Sequence, residues 1–254
     1  MRNHVLLTPY SLDQPAPLLT RLAGPGWEVN TPTLAGDSSI DRMAILHRRL
    51  ADLVAATVQR GDRPVSIAGD CCTTIGVVAG LQQAGISPVL VWLDAHGDFN
   101  TWQTTLTGFI GGMPLAMLVG RGDQRLLLAC GCVSLPETDV FLADARDLDP
   151  AERGLLDGSG VRRYSDLLSL AGALPGDRPM YLHFDTDLLN PVDAPAMAYA
   201  TAGGPRLDEV REFGERLTRT DRLAAVSMTT WDLAADTDRK TEAICLAALR
   251  SFLE

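Results

Sequence analysis

Apolar residues recur along the chain with two spacings. Short, nearly continuous apolar runs occupy residues 4–8, 64–69, 87–93, 139–146, 178–184 and 222–230, each of strand length. Between them lie segments with apolar positions at helical spacing and a polar opposite side: 40–60, 73–85, 206–219 and 238–254, with a shorter helix within 111–120. Strands apolar on both faces and separated by helices predict a mostly parallel sheet covered by helices on each side, an α/β fold. The Pro/Gly-rich stretches at 173–179 and 202–205 read as surface loops, so residues 1–254 are expected to form a single domain.

Three of the predicted strands end alike. One runs into Asp70 and Cys71, the next into Asp94, His96 and Asp98, and a third into Asp185 and Asp187. Ligands of open parallel sheets sit outside the carboxyl ends of the strands, so these ends could converge. Two like charges ~4 Å apart repel by roughly 4 kcal/mol at an effective dielectric of 20. No Lys or Arg occurs between residues 94 and 120 or between 179 and 205 to neutralise them locally. Two divalent cations would balance four carboxylates, and oxygen-rich ligation with one imidazole favours a metal such as Mn²⁺. Such a pair can share a water and make it a nucleophile at neutral pH. A single Asp after a strand would read as a turn residue or N-cap, and His96 alone as an interior histidine. Two alternating sets after two apolar strands favour metal binding.

Composition narrows the field. The chain has 254 residues, 46% hydrophobic and 21% charged, with a formal net charge of −10. That balance argues against a nucleic-acid partner. Lys240 is the only lysine, and no phosphate-cradling Gly-rich loop ends in Lys-Ser/Thr. Five cysteines (Cys71, Cys72, Cys130, Cys132 and Cys245) do not space like a disulfide framework. With no signal-peptide pattern at the start and no membrane-length apolar run, a cytoplasmic protein is expected. Cys72 reads as a small buried residue, Cys130 and Cys132 as lacking partners for zinc, and His47 as solvated surface. Trp231 is a pocket wall or, more in keeping with its place, packing under a loop.

At the strand ends the sequence resembles the arginase/agmatinase (ureohydrolase) family. "DAHGD" and "FDTD" match two of its metal motifs, and "GDCC" stands where the family usually has Gly-Asp-His-Ser. The resemblance implies a three-layer α/β/α fold with an eight-stranded, mostly parallel sheet, and oligomers. It also implies two Mn²⁺ ions and hydrolysis of a guanidino group to urea and an amine. Carried over, the metal ligands are Cys71, Asp94, His96, Asp98, Asp185 and Asp187, with Asp94 and Asp185 shared between the ions. Cys71 replaces a histidine, either as a thiolate ligand or as a thiol beside the metal. Asn100 and Thr107 would hold the carboxylate of an amino-acid substrate, and Asp149 and Glu152 its α-amino group. Phe109 replaces a further polar contact.

Departures from the family pattern matter too. Gly111 stands where the family has a proton-shuttle histidine, Pro205 near where an acid clasps the guanidinium, and Asn190 for a common Asp. The catalytic candidates left are Asp98 and His183, the latter as a second-layer residue, a substitute proton carrier or a core histidine. The Cys-for-His exchange resembles a subgroup of Nω-hydroxy-L-arginine amidinohydrolases that release hydroxyurea. An N-hydroxyguanidine is less basic than a guanidine, and its neutral form costs less to desolvate without a carboxylate clasp. The partner implied is a small guanidino substrate, with no nucleic acid and no membrane. The alternatives are the same chemistry on another guanidino or amidino metabolite, or an inactive arginase-fold binding protein.

Overall fold

A computed structural model describes residues 1–229 and 231–254. Its strands are β1 (Asn3–Thr8), β2 (Tyr10–Ser11), β3 (Gln14–Pro15), β4 (Glu28–Val29), β5 (Arg63–Ala68), β6 (Val89–His96), β7 (Val140–Asp147), β8 (Arg162–Tyr164), β9 (Met180–Asp185) and β10 (Leu223–Thr229). The helices are α1 (Ser39–Gln59), α2 (Thr74–Gln83), α3 (Pro114–Leu118), α4 (Arg125–Ala129), α5 (Pro150–Asp157), α6 (Leu167–Ala173), α7 (Leu207–Thr218) and α8 (Lys240–Ser251). Eight strands form one sheet in the order β4-β1-β5-β10-β9-β6-β7-β8, every neighbouring pair parallel. The strands β2 and β3 make a separate antiparallel hairpin.

The six apolar runs all became strands. The run at 222–230 became β10, and its last residue lies outside the described residues. The two strands the apolar pattern missed, β4 and β8, sit at the sheet edges and are two and three residues long, too short to show a period. Helix α1 starts where local chemistry dictates: the Ser38 hydroxyl accepts the Asp41 N–H, while the Asp41 carboxylate accepts from the Ser38 N–H, a reciprocal cap. His47 on this helix is a correction, because it is wholly buried and not solvated. Its helix face packs so tightly on α2 that a Cβ at Gly76 would meet the His47 carbonyl.

Each strand presents alternate residues to two cores. One face, carrying Leu90, Trp92, Tyr181 and Ala225, packs with residues of α1 and α2. The other, carrying Val91, Leu182, Phe184 and Val226, packs with residues of α7 and α8. No helix of the described residues is long and apolar enough to cross a membrane.

Candidate active site

The first face continues past the core to the carboxyl rim of the sheet. There β5, β10, β9 and β6 lie side by side, so Cys71, Asp94 and Asp185 meet although they are far apart in sequence. Short turns aim them. Asp70 Oδ1 accepts the Cys72 N–H at 2.9 Å and its Oδ2 accepts the Leu12 N–H at 2.6 Å, fixing the turn that carries Cys71. Asp185 Oδ1 accepts the Asp187 N–H at 3.0 Å, closing the turn after β9. Asp94 Oδ1 accepts the His96 N–H at 2.7 Å and its Oδ2 accepts Trp92 Nε1–H at 3.0 Å. The β6–β7 register shifts between Asp94 and His96, and Asp98 adopts a left-handed backbone with φ +48°. Asp tolerates that region better than most residues, which lets the chain turn sharply back to the rim.

Two groups of potential ligand atoms result, each spanning no more than 4.8 Å: Cys71, Asp94, His183 and Asp185, and Asp94, His96 and Asp187. Asp94 belongs to both. Cys71 Sγ donates to Asp185 Oδ2 at 2.8 Å and lies 3.2 Å from Thr229 Oγ1. His96 Nδ1 sits 3.4 Å from Asp94 Oδ1 and 3.1 Å from Asp187 Oδ2. Asp98 falls outside both groups, but its Oδ2 is buried without a hydrogen-bond partner.

The electrostatics are those of crowded, buried acids. Burial and then Asp187 push the Asp94 carboxyl up, and burial and then Asp94 push Asp98 well up. Burial, reinforced by Asp185, Asp98 and Asp94, raises the Cys71 thiol. Burial opposes the His96 proton, yet hydrogen bonds to Asp187 and Asp94 outweigh it and raise that imidazole to about 12. Among the described residues, His96 is the only basic side chain paired with Asp94 or Asp187. Arg146 is nearby but bonds the Asp144 carboxylate and the Asp187 backbone carbonyl. Orphaned Asp98 Oδ2 and His183 Nε2, converging carboxylates and a thiol fit divalent cations in place of protons.

Above the groups lies a cavity of about 580 Å³. Cys71, His96, Asp98, Asp185 and Asp187 reach its floor, and Asn100, Thr107, Asp149 and Glu152 its walls. Asn100 Nδ2 donates to Asp149 Oδ2 at 3.3 Å, which ties the two candidate ends of a substrate site together. Glu152 Oε1 accepts the Phe99 N–H at 2.8 Å, yet burial still lifts its pKa to about 7.

His183 does not line the cavity. It lies wholly buried in the sheet, where burial lowers its pKa to about 3. Its place therefore gives no support to a proton carrier in contact with substrate. Pro205 lines a different cavity, beside Asp144 and Phe213, and Asn190 Nδ2 donates to the Gly204 carbonyl. Neither faces the acid rim. Trp231 lines the main cavity as well as being buried. At Gly111 a Cβ would fall onto the Phe109 ring, so Phe109 fills the space that a side chain at 111 would need.

Three contributors escaped the sequence reading. The short 3-10 helix Pro17–Leu22 that follows the hairpin β2–β3, with Ala16 before it, supplies an apolar wall through Ala16, Leu18 and Leu19. Tyr199 lines the cavity, its ring centroid 5.7 Å from Phe109 and 6.4 Å from His96. Beneath the floor, Tyr181 and Ser227, unnamed in the sequence reading, join His183 in a hydrogen-bonded column. Only their alternate positions on apolar strands could have flagged that column.

Known proteins point the same way. The arginase-family model matches residues 29–253. The chain is 28% identical to an arginase of Brevibacillus brevis over 84% of its own length and 76% of that protein. It is 29% identical to an arginase of Neurospora crassa over 71% of its own length, while spanning 56% of that protein. The native arginase structure from Bacillus caldovelox superposes with a TM-score of 0.83 at 23% identity, covering 99% of this chain and 97% of the other, a likeness of fold. With the family model covering most of the sequence, the chain belongs to the arginase family, whose members are metal-dependent ureohydrolases.

Proposed function

We propose that the chain is a binuclear-metal amidinohydrolase acting on the guanidino group of an arginine-like amino acid. Its preferred substrate is Nω-hydroxy-L-arginine, which is split into hydroxyurea and an amine. The observation that carries this reading is the pair of ligand groups sharing Asp94 at the floor of a cavity with polar walls. Cys71, Asp94, Asp98 and Asp185 would hold one ion, and Asp94, His96, Asp185 and Asp187 the other, with Asp94 and Asp185 serving both. Two divalent ions, Mn²⁺ in the family pattern, would lower the pKa of a shared water and supply a nucleophile at neutral pH.

The residues of the chain do the rest. Asn100 and Thr107 bind the substrate carboxylate, and Asp149 and Glu152 its ammonium group. Together they hold the guanidino carbon over the floor, where orientation itself lowers the barrier. Asp98 Oδ2, buried and unpartnered, takes the proton of the attacking water and returns it to the leaving nitrogen. Phe109, Tyr199 and Trp231 exclude bulk water. With Pro205 near where the family has the acid that clasps a guanidinium, a less basic guanidino group, whose neutral form costs less to desolvate, is favoured.

The test is a panel of arginine, Nω-hydroxyarginine, agmatine and guanidinobutyrate with Mn²⁺, following urea or hydroxyurea. Hydroxyarginine should turn over fastest. Turnover of none, by a protein that also purifies without metal, would leave a binding protein of this fold. The apolar wall of Ala16, Leu18 and Leu19 favours one second reading, a bulkier guanidino metabolite. Turnover of such a compound and of none of the amino acids would select it.

A further inference from the structure

We infer that His183 is itself a metal ligand, through Nε2, in the group formed with Cys71, Asp94 and Asp185. The inference rests on the binuclear reading above and adds a residue to it that the motif resemblance does not supply. A ring nitrogen of His183 lies within 4.8 Å of the Cys71 sulfur and of an oxygen of both carboxylates. The two nitrogens have different surroundings. Nδ1 is 2.9 Å from Ser227 Oγ, which is 2.7 Å from the Tyr181 hydroxyl. Nε2 is fully buried and has no hydrogen-bond partner.

This division is what a metal-binding imidazole requires. An Nδ1–H donated to Ser227 Oγ fixes the tautomer and leaves the Nε2 lone pair free, the usual outer-layer arrangement around a histidine ligand. Trp92 steadies both ligands. Its ring centroid is 4.1 Å from that of His183, and its Nε1–H is bonded to Asp94 Oδ2. Because His183 does not reach the cavity, its lone pair has no substrate to serve.

The chemistry is also suited to the place. A neutral imidazole adds a donor without adding charge to a group already holding two carboxylates and a thiol. Nitrogen and sulfur donors together make this the softer of the two sites, so it should favour Zn²⁺ or Co²⁺ over Mn²⁺ more strongly than the His96 site does.

The chain has four histidines, which makes the test direct. Full-length protein labelled with ¹⁵N in the histidine rings is titrated with Zn²⁺ and read by NMR. Two rings, His96 and His183, should move to metal-bound shifts that no longer respond to pH. Movement of one ring only, with two ions bound, overturns the inference and spares the binuclear reading. Binding of no ion by the wild type overturns both. In parallel, His183→Gln should weaken one of the two binding steps at least ~100-fold and leave the other unchanged, since outer-layer partners alone contribute about 10–100-fold. Ser227→Ala, which keeps the ring but loosens its tautomer, should cost about 10-fold at the same step. Unchanged binding in His183→Gln overturns the inference. If that variant does not fold, the wild-type spectrum decides alone.

Discussion

The two faces of β9 use neighbouring residues for opposite purposes. Leu182 and Phe184 point into a dry core, where Phe184 meets Phe252 edge-on at 5.5 Å. Tyr181, His183 and Asp185 point the other way, into a hydrogen-bonded column that rises to the acid rim. Both faces are equally buried. Burial therefore does not separate packing from chemistry in this molecule; what separates them is whether the buried atoms have partners. The apolar face stabilises the fold through area removed from water. The polar face carries crowded acids that a metal-free chain tolerates only with protons in place of ions.

Substitutions should pull the two faces apart. The largest effect is expected for Asp94→Asn, which removes the carboxylate common to both ligand groups. Bound metal should fall below two ions, and hydrolysis by at least about 10³-fold as the water loses its activation. In EDTA its melting temperature should rise, because a buried acid that repels Asp187 is gone. Phe184→Ala should do the reverse, costing about 3–5 kcal/mol in denaturant unfolding while the folded protein still binds two ions. Equal metal loss in both variants would erase the distinction between the faces.

The acid rim also sets a pH dependence. Folding raises the Glu152 pKa from 4.5 to about 7, so the folded chain holds more protons than the unfolded one between those values. Stability of the metal-free protein should therefore fall as pH rises from about 4.5 to 7, by on the order of 2–3 kcal/mol. Thermal melts in EDTA across this range check it, and Glu152→Gln should flatten the slope.

Smaller effects sharpen the contrast further. Gly111→His should cost under about 1 kcal/mol, because the tip of the exposed Phe109 ring can swing aside, and Phe109→Ser should remove even that cost. His47→Leu should gain about 1 kcal/mol without touching metal content. His47 is as buried as His183, but neither of its nitrogens has a partner or a ligand group nearby. A loss of metal in that variant would break the comparison between the two histidines.

Much of this was legible in the residues. The alternation at the carboxyl ends of β6 and β9 exposed Asp94, His96, Asp98, Asp185 and Asp187, because strand period and strand end are local properties. Helices α1, α2, α7 and α8 were equally plain, being long enough to show a period. The edge strands β4 and β8 and the short helices α4, α5 and α6 were not, since their few residues carry no readable repeat. His47 was misplaced because a helix face turned toward α2 looks the same in sequence as one turned toward water. Phe109 and Gly111 could be named, but nothing local says that one ring fills the other's space.

By itself, then, the sequence determined the parallel α/β architecture and which acids stand at strand ends, since both follow from periods of two and 3.6 residues. Only the tertiary structure decided which of those acids meet in one group of potential ligand atoms, and that His183 lies beneath them. The physical reason is strand order: β5, β10, β9 and β6 are neighbours in space and not in sequence. Side-chain convergence across them depends on that order and on no pattern within any one segment.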